Sequence, residues 1–299
     1  MDLTIQIDAG EQRLDSYLAS QLPQYSRAYL HKLIADGHVT LSGKAVKPAW
    51  KTIAGLKIDI SVPDAEPSEL KAEKIPLDVV FEDEWLLVVN KPQGMVVHPA
   101  AGHRSGTLVN ALLDYCSGQL SDLNGVIRPG IVHRIDKDTS GLILIVKNNQ
   151  VHADIADKIR RHEIKRTYQA VVYGHVASES GTIDAPIGRD PRNRQRMAIV
   201  GDGKPSISHF SVMERFRSAT RLQVNLESGR THQIRVHLQY IGHPVVGDPV
   251  YAPGRADYQL KGQALHAFAL DFIHPVTGQA IHVESPLPTY FLQLLEKLR

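Results

Sequence analysis

Leu142-Ile143-Leu144-Ile145-Val146 is an unbroken apolar run bounded by Gly141 and by Lys147-Asn148-Asn149. Such a run predicts a strand buried on both faces. Trp85-Leu86-Leu87-Val88-Val89 predicts a second, and Thr167 to Tyr173 and Arg221 to Glu227 alternate as strands do. Other segments have helical spacing. Val151, Ile155 and Ile159 come after Asn148-Asn149, and Ile234, Leu238 and Ile241 come after Thr231, a candidate cap. Phe291, Leu294, Leu295 and Leu298 give a closing amphipathic helix. Strands and helices interleave without a regular βαβ period or a Gly-rich phosphate loop. Residues 75–299 therefore predict an α+β domain with a long, mostly antiparallel central sheet flanked by helices.

Residues 1–63 have a different rhythm. Leu14, Leu18 and Leu22 fall at helical spacing. Ser26 can N-cap a second helix with Leu30, Leu33 and Ile34 on its apolar face, ended by Asp36-Gly37. Val39-Thr40-Leu41, a Ser42-Gly43 turn and the alternation from Leu56 to Val62 then predict short strands. Arg27, Lys32, Lys44, Lys47 and Lys51 crowd this stretch, opposed there only by Asp36. Phosphate contacts need such a cluster, although a charge run by itself is more often a solvated face. Residues 64–74 are polar, charged and Pro-containing, and read as a linker between the two domains.

Composition narrows the class. A chain of 299 residues fits about two domains, and 42% hydrophobic content suffices for their cores. The net charge of +2 neither requires nor excludes a polyanionic partner, so the placement of charge decides. One cysteine, Cys116, excludes an intrachain disulfide and fits a reducing compartment. The 15 histidines show no ligand spacing, so no metal is expected. No apolar run reaches membrane-spanning length, and Met1-Asp2-Leu3 begins no signal peptide. We expect a monomeric cytoplasmic protein.

The polar loop from His133 to Ser140 feeds straight into the buried strand, which sets Asp136 at the strand's mouth with Arg134 two residues away. A carboxylate fixed by a rigid element suits chemistry, and an Asp there equally suits a turn. Two basic stretches could grip a nucleic-acid backbone. Lys158, Arg160, Arg161, Lys165 and Arg166 lie on and after one helix. Arg189, Arg192, Arg194 and Arg196 lie between Gly188 and Met197, where Pro191 and Asn193 mark a loop. A stable element gains little from four repelling charges, whereas a clamp on RNA uses them.

The string His133-Arg134-Ile135-Asp136-Lys137-Asp138-Thr139-Ser140-Gly141 resembles the HRLD-x-x-TSG signature of the RluA-type pseudouridine synthases, with Ile135 in place of the usual Leu. Ile75 to Asp83 with Asn90 to Pro99, Lys165 to Ala170, Gly229 to His237, and Leu265-His266-Ala267 through His274-Pro275 and Pro286-Leu287-Pro288 resemble the family's other motifs in the family's order. The helix-turn-strand pattern around Ser26-Arg27 and Asp36 to Val39 resembles an S4 RNA-binding domain.

The resemblance implies an enzyme that isomerises uridine to pseudouridine in structured RNA, with its cleft across the middle of the sheet. Asp136 would be the nucleophile and Arg235 its counter-charge. Tyr168 would stack on the uracil and handle a proton, and Ile234 would floor the base. The uridine must be flipped out, and Arg134 would fill its place while Arg192, Arg194 and Arg196 hold the backbone. Isomerisation needs no redox step or energy input, so no cofactor is expected. The partner would be RNA, most of all large-subunit ribosomal RNA. The D type of the family is the nearest likeness, the C type the second and a transfer-RNA synthase the third. A non-catalytic S4 RNA-binding protein is the competing class. It would be favoured by loss of Asp136, Tyr168 or Arg235, and all three are present. A His-rich metallohydrolase, the third class, would need bound metal.

Overall fold

Along Lys57-Ile58-Asp59-Ile60-Ser61 the two isoleucines are buried and their neighbours exposed, as in a strand with one face on a core. The computed structural model describes residues 2–22, 27–62, 70–99, 103–121, 129–193 and 196–299. The chain divides into two compact units, Met1–Glu69 and Leu70–Arg299.

The first unit runs β1 (Asp2–Gln6), α1 (Leu14–Gln21), α2 (Arg27–Ala35), β2 (Val39–Leu41), β3 (Lys44–Ala45) and β4 (Lys57–Ser61). Its strands form an antiparallel sheet in the order β1-β4-β2-β3. Leu14, Leu18 and Leu22 meet Leu30, Leu33 and Ile34 over Ile58 and Ile60, so the helical periodicities point into one core. The cap expected at Ser26 lies outside the described residues.

The second unit continues with β5 (Val79–Glu82), β6 (Leu86–Lys91), α3 (Leu108–Tyr115), β7 (Ser140–Val146), α4 (Asn149–Arg160), β8 (Lys165–Tyr173), β9 (Ser180–Asp184), β10 (Ile187–Arg189) and β11 (Met197–Ile199). It ends with β12 (Ile207–Arg215), β13 (Ala219–Leu226), α5 (Gln233–Tyr240), β14 (Leu265–Ile273), β15 (Ala280–Glu284) and α6 (Thr289–Leu298). The main sheet has nine strands in the order β5-β6-β7-β14-β8-β13-β12-β9, with β15 also paired to β14. Every pairing is antiparallel except β7 with β14.

The strand β7 is buried at every position because each face has its own helix. Leu142, Leu144 and Val146 pack with Val151 and Ile155 of α4, while Ile143 and Ile145 pack with Leu108, Val109 and Leu112 of α3. The closing helix α6 buries Phe291, Leu294, Leu295 and Leu298 against β8, β13 and β14. Gly141 permits the parallel join. Its φ is +111°, and a Cβ there would stand 2.6 Å from the Ala267 amide nitrogen.

Three expectations change. Residues 70–74 are not free linker. Leu70 packs on the α3 core, the Asn110 amide donates to the Lys71 carbonyl at 2.8 Å, and the Glu73 N–H donates to Asn110 at 3.0 Å. Thr231 does not cap α5. His232 holds the N-cap in the left-handed region, φ 58°, and the Gln233 side chain instead accepts from the Arg230 N–H at 3.0 Å and the Ser228 hydroxyl at 2.8 Å. The arginine-bearing segment is the tip of a hairpin, β10 paired with β11, and not loop throughout. Among the described residues no helix is long and apolar enough to cross a membrane, and no three His, Cys, Asp or Glu side chains gather as metal ligands would.

Candidate active site

The loop before β7 is pinned by its backbone, which leaves its side chains for other uses. Lys91 is 1% exposed and gives its three amine protons to the carbonyls of Pro92, Met95 and Lys137 at 2.9, 2.9 and 3.0 Å. Burial pushes its pKa down to about 7, against the pull of Asp138 and Asp136. The Gly94 N–H also reaches the Lys137 carbonyl, at 2.9 Å, and Gln93 donates to the Asp138 carbonyl at 3.1 Å. Between these anchors Asp136 lines an open cleft together with Arg134, Tyr168, Ile234 and Arg235. It opens between the start of α5 and two central strands of the sheet, β8 and the first residue of β14.

Arg235 meets Asp136 there. Its Nη1 donates to Oδ2 of Asp136 at 2.9 Å, while Nε and Nη2 donate to the two oxygens of Asp248 at 2.7 and 2.9 Å. Asp248 is buried and also accepts the N–H groups of Val250 and Tyr251 at 2.9 and 3.0 Å. Burial works against the Arg235 charge, but Asp248 and Asp136 outweigh it and hold the pKa above the usual arginine value. His232 stands 3.9 Å from the other Asp136 oxygen. Burial lowers its pKa despite Asp136, so the ring is neutral near pH 7. Its Nδ1 lies 2.9 Å from the Tyr251 hydroxyl.

Tyr168 is buried on β8 between Val224 of β13 and Ala267 of β14, and it lines the same cleft. Burial raises its pKa, Arg166 opposes and Asp136 adds to the rise. Its hydroxyl has no hydrogen-bond partner among the described residues. Ile234 lines the cleft from the first turn of α5. Arg134 is exposed at the cleft, with Nη1 3.4 Å from His98.

The remaining basic residues divide. Arg192 is exposed at the hairpin tip, its N–H bonded to the Asp190 carboxylate at 2.8 Å. Arg194 lies outside the described residues. Arg196 is half-buried, its guanidinium 5.1 Å from the Tyr251 ring centre, and Arg235 sits 5.0 Å from the same ring. The Tyr251 hydroxyl accepts from the Met197 N–H at 3.0 Å, so through its contacts with His232 and Arg235 Tyr251 links the hairpin to α5. In the first unit Lys44, Lys47 and Lys51 are exposed. Arg27 and Lys32 lie on α2, and their side chains are outside the described set.

The helix α4 and the turn after it are not the unpaired basic patch that the sequence suggests. Lys158 pairs with Asp154 and Glu163, and Arg160 and Arg161 both pair with Asp157. Arg166 turns inward and lines the cleft. Sequence reasoning also missed Asp248 and Tyr251. Nothing in their spacing ties them to Arg235; an acidic residue two positions after the apolar pair Val245-Val246 was the one available sign of a buried charge.

Comparison with known proteins agrees with this geometry. The RNA pseudouridylate synthase family model matches residues 85–240, and the S4 domain model matches residues 12–51. The chain is 48% identical to an uncharacterized RNA pseudouridine synthase of Bacillus subtilis, across 100% of this chain and 98% of that protein. It is 44% identical to ribosomal large subunit pseudouridine synthase D of Pseudomonas aeruginosa, across 99% and 94%. Against the enzyme of that name from Escherichia coli K12 it is 42% identical, across 96% and 91%. The structure is similar to that of human RNA pseudouridylate synthase domain containing 1, with a TM-score of 0.58, 25% identity and coverage of 76% of this chain and 96% of that one. With a family match over the catalytic half, relatives that align along the full length and an Asp–Arg pair beside a buried Tyr, this chain belongs to the RNA pseudouridine synthase family and carries an S4 domain.

Proposed function

We propose that this protein converts uridine to pseudouridine in large-subunit ribosomal RNA, with Asp136 as nucleophile. The observation that carries the reading is the Asp136 carboxylate held at 2.9 Å by a permanently charged Arg235, in a cleft that also presents Tyr168. The names of the Pseudomonas and Escherichia relatives support the ribosomal substrate.

The chemistry balances within the nucleotide. Asp136 attacks an electron-poor carbon, and the N1–C1′ bond breaks with its electron pair left on the uracil. The base turns, C5 bonds to C1′, and the carboxylate leaves. C5 then gives up its proton and N1 ends with one. Arg235 holds and orients the Asp136 carboxylate for the attack. Tyr168, its hydroxyl uncommitted, stacks on the base and carries the proton. Exposed Arg134 fills the place of the flipped nucleotide. The S4 domain, a separate compact unit, grips phosphates with Lys44, Lys47 and Lys51 together with Arg27 and Lys32.

Mapping of pseudouridine in total RNA from cells with and without this protein tests the reading. Loss of specific large-subunit positions is expected. Loss confined to transfer RNA would replace the substrate, and no loss anywhere would overturn the activity.

A further inference from the structure

Arg166 is 5% exposed, yet no carboxylate pairs with it among the described residues. Its Nη2 lies 3.5 Å from the Ser228 carbonyl and its Nε is buried without a partner. Gly229 closes over it: a Cβ at that glycine would stand 2.7 Å from Nη1. The nearby His133 ring is neutral and offers no counter-charge; burial and then Arg166 itself push its pKa down to about 3. A buried cation without a counter-charge is costly, and such a group in a native site calls for an explanation.

Its position supplies one. Arg166 and Tyr168 are two residues apart on β8, so their side chains share a face, and both line the cleft with Asp136. Arg134 and Arg230 line the same cleft but are exposed. Phosphates carry permanent charge and stay near water, where those two arginines stand. An uncharged base is the part of a flipped nucleotide suited to the buried depth of Arg166.

We propose that Arg166 binds a carbonyl oxygen of the flipped uracil and stabilises the negative charge that gathers on it as the glycosidic bond breaks. This rests on the synthase reading above. The electron pair of the N1–C1′ bond spreads onto the uracil oxygens, whichever carbon Asp136 attacks, and returns to bonding when C5 joins C1′. A guanidinium already fixed in a dry wall meets that charge without reorganising.

The test compares R166Q and R166K with wild type by tritium release from 5-tritiated uridine RNA, by RNA binding across salt and by thermal melting. R166Q should lower kcat by about 10²–10³-fold, the loss seen when one donor to a developing oxyanion is removed. KM and the salt slope of binding should stay near wild type, and R166K should recover part of kcat. Melting should not fall in R166Q, because the change removes an unpaired charge and no ion pair. A fall in melting along with activity would make Arg166 structural and overturn the proposal. So would a raised KM with a shallower salt slope, which marks a phosphate contact, or a kcat like wild type. Wild type that releases no tritium and forms no pseudouridine would overturn the synthase reading itself. An active wild type with an equally active R166Q overturns the Arg166 role alone.

Discussion

Arg235 reaches Asp136 across 99 positions of chain and holds only one of its oxygens, Oδ2, at 2.9 Å. The other, Oδ1, has only His232 near it among the described residues, at 3.9 Å, and Asp136 lines the cleft. A carboxylate held by one oxygen and without a hydrogen bond on the other suits a nucleophile, because the contact orients it and leaves an oxygen for attack.

Asp136→Asn should therefore abolish isomerisation and leave RNA affinity nearly intact. The amide keeps the shape and loses the ionisable group. Substantial tritium release from 5-tritiated uridine RNA by this variant would reject Asp136 as the nucleophile.

Asp248→Asn should slow turnover although Asp248 does not line the cleft. Asp248 holds two nitrogens of Arg235 and so fixes the direction of the third, Nη1. Breaking one partner of such a buried pair costs roughly 3–5 kcal/mol. A lowered melting temperature together with a lowered kcat is expected, with RNA binding unchanged. Lowered melting at full kcat would show that Asp248 supports the fold and not the aim of Arg235.

The strands and helices that carry the site were largely legible because burial imposes period. Leu142 to Val146 could only be a two-sided strand, and the isoleucine alternation in β4 could only be one-sided. The pairing of Asp136 with Arg235 came from the family motifs, since no local pattern joins residues so far apart. Asp248, Tyr251 and the inward turn of Arg166 were not legible. Each depends on which strand lies beside which, and that order crosses the chain repeatedly. The basic run on α4 misled because its neutralising Asp154, Asp157 and Glu163 sit one helical turn or a bend away.

Arg192→Ala and Arg196→Ala should differ, although both arginines belong to one hairpin. Arg192 is exposed, and its loss should only weaken RNA binding and flatten the salt dependence. Arg196 lies over the Tyr251 ring, and Arg235 lies over the same ring. Loss of Arg196 should also reduce kcat on bound RNA. Single-turnover rates at saturating enzyme separate the two, and identical rates in both variants would uncouple the hairpin from α5.

Stability should fall on mild acidification. The His266 ring is buried, bonded to the Ser140 hydroxyl at 2.8 Å, and burial holds its pKa down to about 4 against an ordinary 6.5. Below pH 6.5 the unfolded chain takes up a proton that the native state refuses until about pH 4. Its contribution is thus complete above the upper value and lost progressively toward the lower. Denaturant melts across this window should show the decline, and His266→Gln should lessen it. A rise in stability over the same window would mean that the native state binds the proton more tightly.

Removal of residues 1–69 should weaken RNA binding more than it harms the remaining fold. The cut follows the boundary between the compact units and keeps Leu70, Lys71 and Glu73 on the α3 surface that they cover. The lost segment carries Arg27, Lys32, Lys44, Lys47 and Lys51. Each phosphate contact given up should make the slope of log affinity against log salt shallower by about 0.7–0.9. Turnover on a short unpaired RNA should survive better than turnover on a structured ribosomal fragment, since the cleft residues all remain. Titrations at several salt concentrations read the slope, and melting of the truncated chain reads the fold. An unchanged slope would mean that the S4 domain does not touch this RNA. A lost cooperative melt would mean that the catalytic unit depends on its neighbour.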